Sequence, residues 1–347
     1  MNGAATIALA PLGLLYGTAM RARAALYRRG VLRTHQIDAP VISVGNLTTG
    51  GTGKTPLVEF IAKHLAQKGR RVCILTRGYG REDTSKRVVV SDGNNVLAEV
   101  AQSGDEPLML AEKLKGRAAV ICEVDRVSAA HWAKENLASD VFILDDGFQN
   151  LRTARDLNIC VIDATNPWGS KRVLPAGILR EPISSLRRAD CVVITRANGS
   201  ESDLLSRIKR FTGAPVFLSQ IVTARIRSIK TGDEIELKRV ARQPVAALCA
   251  IGNPEAFFNQ LRADFDVADT TAFLDHHHYT QSDIDRASKD AIASGAHALV
   301  TTAKDEVKLR DMRFDLPCYV LDIEMQISPS NKLFDLIDKA VLKYDKS

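Results

Sequence analysis

The run Thr48-Thr49-Gly50-Gly51-Thr52-Gly53-Lys54-Thr55 constrains this chain more than any other feature. It follows an apolar strand, Val41 to Val44, and precedes an amphipathic helical stretch, which is the context of a phosphate-binding loop. Glycines lack the Cβ that would keep successive backbone N–H groups from turning inward on phosphate oxygens. Lys54 then reaches the β- and γ-phosphates, and the Thr55 hydroxyl is placed to bind Mg²⁺. ATP or GTP is the expected ligand, cradled by Thr49, Gly50, Gly51, Thr52, Gly53, Lys54 and Thr55. The strict pattern asks for glycine where this chain has Thr48.

Apolar runs of four to six residues alternate with helical stretches through the first two hundred residues, the signature of βαβ units and a mostly parallel α/β sheet flanked by helices. Strands are predicted at Val41–Val44, Val72–Thr76, Ala118–Cys122, Val141–Leu144, Ile159–Ile162 and Val192–Thr195, with helices after Lys54, Glu106, Arg126 and Asp203. Between Ile221 and Val240 the pattern becomes polar-apolar alternation around a Thr231-Gly232-Asp233-Glu234 turn, which reads as a hairpin linking two domains. Beyond it a smaller α/β unit restarts with Val245–Ala250, a Gly252-Asn253-Pro254 turn and a helix. Strands at Ala298–Thr301 and Tyr319–Asp322 follow. A chain of 347 residues accommodates two domains, here 34–220 and 241–347, preceded by an N-terminal segment, 1–33.

The formal charge of +6 points to an anionic partner without choosing among nucleotide, nucleic acid and acidic membrane. The six cysteines lie in or beside apolar runs with no CxxC spacing, so they read as reduced core thiols of a cytosolic protein. From Ala4 to Met20 the chain is almost purely apolar, broken by Pro11, and then come Arg21, Arg23, Arg28, Arg29 and Arg33. A secretory signal carries its positive charges before the apolar run, and a spanning helix needs roughly 20 apolar residues. An interfacial helix, apolar part in the acyl boundary and arginines on anionic headgroups, fits better; the competing reading is a first helix packed on the protein's own core.

Val141-Phe142-Ile143-Leu144 ends in Asp145-Asp146-Gly147, and in a phosphate-loop fold such a terminal Asp reaches Mg²⁺ directly or through water. One of Asp145 and Asp146 would hold the metal and the other join the active-site network. Gly104-Asp105-Glu106-Pro107 reads locally as a helix start with Asp105 capping. In Asp275-His276-His277-His278-Tyr279 the three histidines share no face of a regular element, so an Asp–His pair is favoured over a metal site. Phosphorylating a hydroxyl needs a base, which such a pair would supply. Arg77-Gly78-Tyr79-Gly80-Arg81 follows a strand and falls on the sheet edge where ligands sit. Glu181 stands among Lys171, Arg172 and Arg180 as a further metal or network carboxylate.

Taken together, VGNLTTGGTGKTP, ILTRGYGR, SGDEP, LDDGFQN, LPAGILREP, Asp275-His276 and TTAKD resemble the tetraacyldisaccharide 4'-kinases, the lipid A 4'-kinases of Gram-negative bacteria. These strings span residues 44 to 305, and that family's loop also has the Thr seen at position 48. The resemblance implies ATP-dependent phosphorylation of the 4'-hydroxyl of a tetraacylated glucosamine disaccharide 1-phosphate, giving lipid IVA at the cytoplasmic face of the inner membrane. It implies Lys54 and Thr55 on phosphates and Mg²⁺; Asp145, Asp146 and Glu181 as metal and network carboxylates, Asp145 and Glu181 on the metal; and Arg77 and Tyr79 lining the substrate site. Asp105 and His276 become the catalytic pair, with Asp146 beside them, and the N-terminal helix contacts membrane and lipid. Lys304 or Asp305 is expected near the nucleotide or hinge. No nucleic acid and no obligate protein partner are expected.

Two other classes fit parts of the pattern. A partition-type switch ATPase has a related loop, but this chain carries Thr49 in place of the signature lysine of those proteins. A nucleic-acid-stimulated NTPase would suit the charge, but aromatic residues make up only 5% and no basic stripe interleaves with them, leaving little stacking surface.

Overall fold

The computed structural model describes residues 9–345, so the first residues of the apolar N-terminal run, 4–8, lie outside the described part. The chain runs α1 (Ala10–Arg28), β1 (Val41–Asn46), α2 (Lys54–Gln67), β2 (Val72–Thr76), β3 (Val88–Ser91), α3 (Val100–Ser103), α4 (Asp105–Lys113), β4 (Ala118–Cys122), α5 (Arg126–Leu137), β5 (Val141–Asp145), β6 (Leu157–Asp163), β7 (Cys191–Thr195), α6 (Ser202–Lys209) and β8 (Val216–Ser228). It continues through β9 (Glu234–Ile235), α7 (Leu237–Val240), β10 (Val245–Cys249), α8 (Pro254–Asp264), β11 (Val267–Ala272), α9 (Gln281–Ala293), β12 (Ala298–Thr302), α10 (Ala303–Leu309), β13 (Cys318–Ser328) and α11 (Ser330–Val341).

All described strands belong to one mixed, mostly parallel sheet, ordered β11-β10-β12-β13-β8-β7-β6-β1-β5-β2-β4-β3, with β9 paired to β8. Strands β1, β2 and β4 to β7 are buried along their whole length, as expected where helices cover both faces of a parallel sheet. Leu57 and Ile61 of α2, Leu110 of α4 and Leu333 and Ile337 of α11 pack on one face, and Ala129, Ala130 and Ala133 of α5 on the other.

The Thr231-Gly232-Asp233 turn closes a short β8–β9 hairpin, but the dominant feature of this region is a longer pairing that sequence reading missed. Strand β8 pairs parallel with β7 at its start and antiparallel with β13 from Leu218↔Ser328 to Ser228↔Tyr319. One sheet therefore runs through both halves, and the parallel strands of the second half point against those of the first. The join is fixed by charge: buried Asp322 of β13 accepts from Arg225 Nε at 2.9 Å and Arg227 Nε at 2.8 Å, and Arg227 also pairs with Glu306. Helix α11 then returns to the first half, with Phe334 stacked between Phe60 and His64 and Asp338 paired to His64 and Lys68.

Gly45 marks where the phosphate-loop strand touches the turn carrying the paired aspartates. A Cβ there would stand 2.4 Å from Phe148 N and 2.7 Å from Phe148 Cβ, and backbone cannot yield cheaply. Gly45→Ala should cost about 2–3 kcal/mol of stability; thermal melting of the purified variant at the wild-type midpoint would show that the turn can move.

Candidate active site

The C-terminal end of β1 delivers the glycine-rich loop, and Asn46 shapes it from within. Fully buried, it donates through Nδ2 to Thr48 O and Thr52 Oγ1, each at 2.9 Å, and accepts from Lys54 Nζ at 3.3 Å. The Thr49 N–H is already committed to Ile178 O at 2.8 Å, and the Thr52 carbonyl accepts from Thr195 Oγ1 at 2.8 Å. Gly53 precedes α2 at φ +82°, a left-handed conformation that costs glycine nothing. Lys54 and Thr55 occupy the first turn of α2, where backbone amides and the helix dipole favour anions.

Strand β5 ends at Asp145, buried and accepting from Thr76 Oγ1 at 3.1 Å. Asp146 follows at φ +53°, placed 3.4 Å from Lys54 Nζ and 2.6 Å from Arg180 Nη1. Glu181, next to Arg180, is buried with both oxygens held by Arg188, at 2.7 and 3.0 Å. That pairing ties the loop carrying Arg180 to Arg188. Arg77 is exposed beyond β2, while Arg81 turns inward and donates to the Cys122 and Lys86 carbonyls.

Across the cleft, Asp105 opens α4 without capping it; Gly104 precedes it at φ +86°, with its Cβ position 2.4 Å from Tyr79 O, so no other residue fits that turn. The Asp105 carboxylate meets His276 Nδ1 at 2.9 and 3.0 Å and Lys308 Nζ at 3.2 Å. Lys304 Nζ bridges Glu106 at 3.1 Å and Asp275 at 2.9 Å. The exposed Tyr79 ring lies tilted 5.1 Å from that of His276, which itself holds φ +62°. Gly252 sits against the loop, its Cβ position 2.9 Å from Gly51 N. Loop, paired aspartates and Asp–His pair thus converge on one cleft.

Sequence reading did not single out Asn46, Lys308, Thr195 or Arg196. Asn46 looks like an ordinary strand end, and Lys308 like a solvated lysine of an exposed helix. Among the described residues no set of three His, Cys, Asp or Glu side chains is gathered to hold a metal.

Charge in the cleft is unevenly compensated. Burial pushes the Asp145 carboxyl up to about 6, reinforced by the nearby Glu106 and Asp146 carboxylates and only partly opposed by Lys54. Burial also works against ionisation of Asp105, but the His276 hydrogen bond and the charges of Lys304, His276 and Lys308 outweigh it and hold that carboxyl far below the usual range. His276 is correspondingly raised, chiefly by its hydrogen bond to Asp105, against burial and Lys304. Buried Asp146 Oδ1 accepts no hydrogen bond. Asp145, Asp146 Oδ1 and the Thr55 hydroxyl form an oxygen donor set of the kind that fits Mg²⁺, with the buried Asp145 the member whose charge is least compensated.

In the folded protein Asp145 keeps a proton at pH values where the unfolded chain has lost it, so its contribution to stability falls as pH rises from 3.8 to about 6 and the cost stands in full above that. At pH 7.5 without metal, Asp145→Asn should melt above wild type, and added Mg²⁺ should raise the wild-type midpoint while leaving that of the variant in place. Equal Mg²⁺ responses in the two proteins would remove Asp145 from the metal site.

The chain was compared with known proteins. Residues 5–342 match the family model described as tetraacyldisaccharide-1-P 4'-kinase. Curated relatives named tetraacyldisaccharide 4'-kinase include one from Geobacter metallireducens, 42% identical over 343 residues, covering 96% of this chain and 97% of the relative. Another, from Geobacter sulfurreducens, is 41% identical over 337 residues, covering 94% and 91%. The crystal structure of LpxK from Aquifex aeolicus in complex with ATP superposes with a TM-score of 0.79 at 31% identity, covering 97% of this chain and 99% of that one. This chain belongs to the tetraacyldisaccharide-1-P 4'-kinase family.

Proposed function

We propose that the protein transfers the γ-phosphoryl group of ATP to the 4'-hydroxyl of a tetraacyldisaccharide 1-phosphate, the lipid A precursor step, with Mg²⁺. The observation that supports this reading is the Asp105–His276 contact at 2.9 Å, a carboxylate–imidazole pair of the kind that would orient a substrate hydroxyl. Loop amides and Lys54 would hold the phosphates, and Thr55 with Asp145 and Asp146 would hold Mg²⁺, which would supply charge neutralisation to the phosphates. The sugar oxygen forms a bond to γ-phosphorus as the bond to the leaving β,γ-oxygen breaks and ADP departs. Asp105 accepts the hydroxyl hydrogen bond and takes the proton.

A carboxylate held this far below its usual range is a weak base, so its main work is orientation, with proton transfer late. That suits phosphoryl transfer, whose loose transition state asks little of the base early on. His276 and Lys308 hold Asp105 ionised and aimed. Arg77 and exposed Tyr79 stand at the mouth of the cleft, where they would line the path of the disaccharide. We assign Glu181 to the network that positions Arg180 against Asp146, with direct metal contact left to Asp145 and Asp146.

Membrane attachment through α1 is part of the same reading. No helix among the described residues is long and apolar enough to cross a bilayer. The Gly13–Gly17 face of α1 is buried, lying against Val173 and Ala176, while Leu12, Leu14 and Leu15 point outward, 53%, 72% and 69% exposed. Arg21, Arg28, Arg29 and Arg33 continue the outward surface, which supports interfacial binding on an anionic cytoplasmic leaflet. The expected units 34–220 and 241–347 are not separate, since β13 pairs along β8 and α11 packs in the core of the first half; a joint around 221–240 would therefore have to flex the β8–β13 seam for the cleft to open for the lipid.

With γ-labelled ATP and tetraacyldisaccharide 1-phosphate in detergent micelles, the wild-type protein should make labelled lipid and Lys54→Ala should not. Asp105→Ala should lower kcat by about 10²–10⁴-fold with ATP affinity nearly intact. Normal turnover by Asp105→Ala would end the base assignment, and ATP consumption without labelled lipid would point to a switch ATPase. For the membrane contact, Leu14→Asp with Leu15→Asp should abolish flotation with anionic vesicles; unchanged flotation would place the contact elsewhere.

A further inference from the structure

We propose that Asp305 is a positioning residue for phosphoryl transfer: its carboxylate sets where Lys308 and the His276-bearing loop stand, and it acts on the reaction through Asp105. The inference rests on the kinase reading and gives a role to the TTAKD string, expected near the nucleotide or the hinge. Asp305 lies in the first turn of α10, directly after β12, and is fully buried. Its polar partners among the described residues, Ala250, Tyr279, Thr302 and Lys308, all belong to the second half. The carboxylate is thus bonded to neither the phosphate loop nor the 221–240 segment.

Its two oxygens have different tasks. Oδ2 accepts from Ala250 N at 3.1 Å and from Thr302 Oγ1 at 2.8 Å, and that hydroxyl in turn accepts from Asp305 N at 3.1 Å. These bonds lock the carboxylate between the end of β10 and the cap of α10. Oδ1 is left for two other groups: it accepts from the Tyr279 hydroxyl at 3.1 Å and pairs with Lys308 Nζ at 3.4 Å.

Both groups lead to Asp105. Lys308 Nζ stands 3.2 Å from Asp105 Oδ2 and 5.4 Å from the centre of the Tyr279 ring, with its side chain buried. Its four-carbon stem is flexible, and a second carboxylate behind the ammonium confines it to the one place where both are met. Tyr279 closes the loop that carries His276. Its ring meets those of His277 and Phe273 edge-on, each 5.3 Å away, and His277 stacks on Phe273 at 4.6 Å. Anchoring the phenol therefore anchors the loop from which His276 Nδ1 reaches Asp105 at 2.9 Å. Apolar packing in place of a buried ion pair is often neutral for stability, so stability alone does not call for a lysine between two carboxylates. Catalysis does: an acceptor carboxylate whose donors come from the other half needs those donors held in fixed places.

The test measures transfer of labelled phosphate to tetraacyldisaccharide 1-phosphate by the full-length protein, with Asp305→Asn made both in the wild type and in Asp105→Ala. In the wild type it should lower kcat about 10- to 100-fold and leave KM for ATP unchanged. In Asp105→Ala, where the acceptor carboxylate is already gone, the same change should cost less than about threefold. Tyr279→Phe removes one hydroxyl, and Lys308→Met keeps the stem but removes the charge. Both should follow the same pattern, and they carry the comparison if Asp305→Asn does not fold. An equal loss in the two backgrounds, a rise in KM for ATP in step with the fall in kcat, or normal kcat in all three variants would overturn the role. A wild type that consumes ATP but labels no lipid would overturn the kinase reading, and this role with it.

Discussion

The active site depends on the antiparallel seam between β8 and β13. Each half carries its chemistry at the C-terminal tips of parallel strands, and the seam reverses strand direction between the halves. Without it the tips of β10 and β12 would belong to a separate unit with no defined relation to the phosphate loop. With it, Gly252 lies against Gly51 and Lys308 reaches Asp105. The seam is itself held by the Asp322–Arg227–Glu306 charges, each side chain 15% exposed or less. Such charges contribute modest net stability but are costly to leave unpaired, which selects one register over its neighbours. Register matters here, because a slip would carry the whole second half along the cleft.

What could be read in the sequence divides along the range of the interactions involved. Buried parallel strands such as Cys191–Thr195 are continuous apolar runs, and the glycine-rich loop is a local conformational demand, so both were legible. Edge strands were not: β3 is four residues long, and β11, Val267-Ala268-Asp269-Thr270-Thr271-Ala272, mixes polar residues because it is covered incompletely. The β8–β13 seam joins residues about a hundred positions apart, and nothing local in Ile221–Ser228 distinguishes it from a simple hairpin.

The candidate site shows the same division. The Asp105–His276 pair could be named only through family resemblance, since 171 positions separate its members. Locally, Asp105 reads as a helix cap, yet the structure gives that helix no side-chain cap. Glu181 reads as a spare carboxylate because its partner, Arg188, lies seven residues on in a run of arginines that offered several equal choices. Lys308 was invisible for the same reason: a lysine on a helix is ordinarily solvated, and this one is nearly buried between Asp105 and Asp305.

The charges of the cleft form two groups that answer different needs. On the loop side Lys54 is held by Asn46 and Asp146, so the lysine already points where phosphate oxygens would lie and pays little ordering entropy when they arrive. On the acceptor side Lys304 and Lys308 pair with Asp105, Glu106 and Asp275, which balances the charge of a cluster of carboxylates. Those lysines come from α10 in the second half and the carboxylates Asp105 and Glu106 from α4 in the first, so the charge environment of Asp105 is set only where the halves meet. Opening the cleft would strip Asp105 of Lys308 and His276 together. Under the proposed mechanism, orientation of the sugar hydroxyl and closure over the nucleotide would then be one event, because the contacts that hold Asp105 come from the other half.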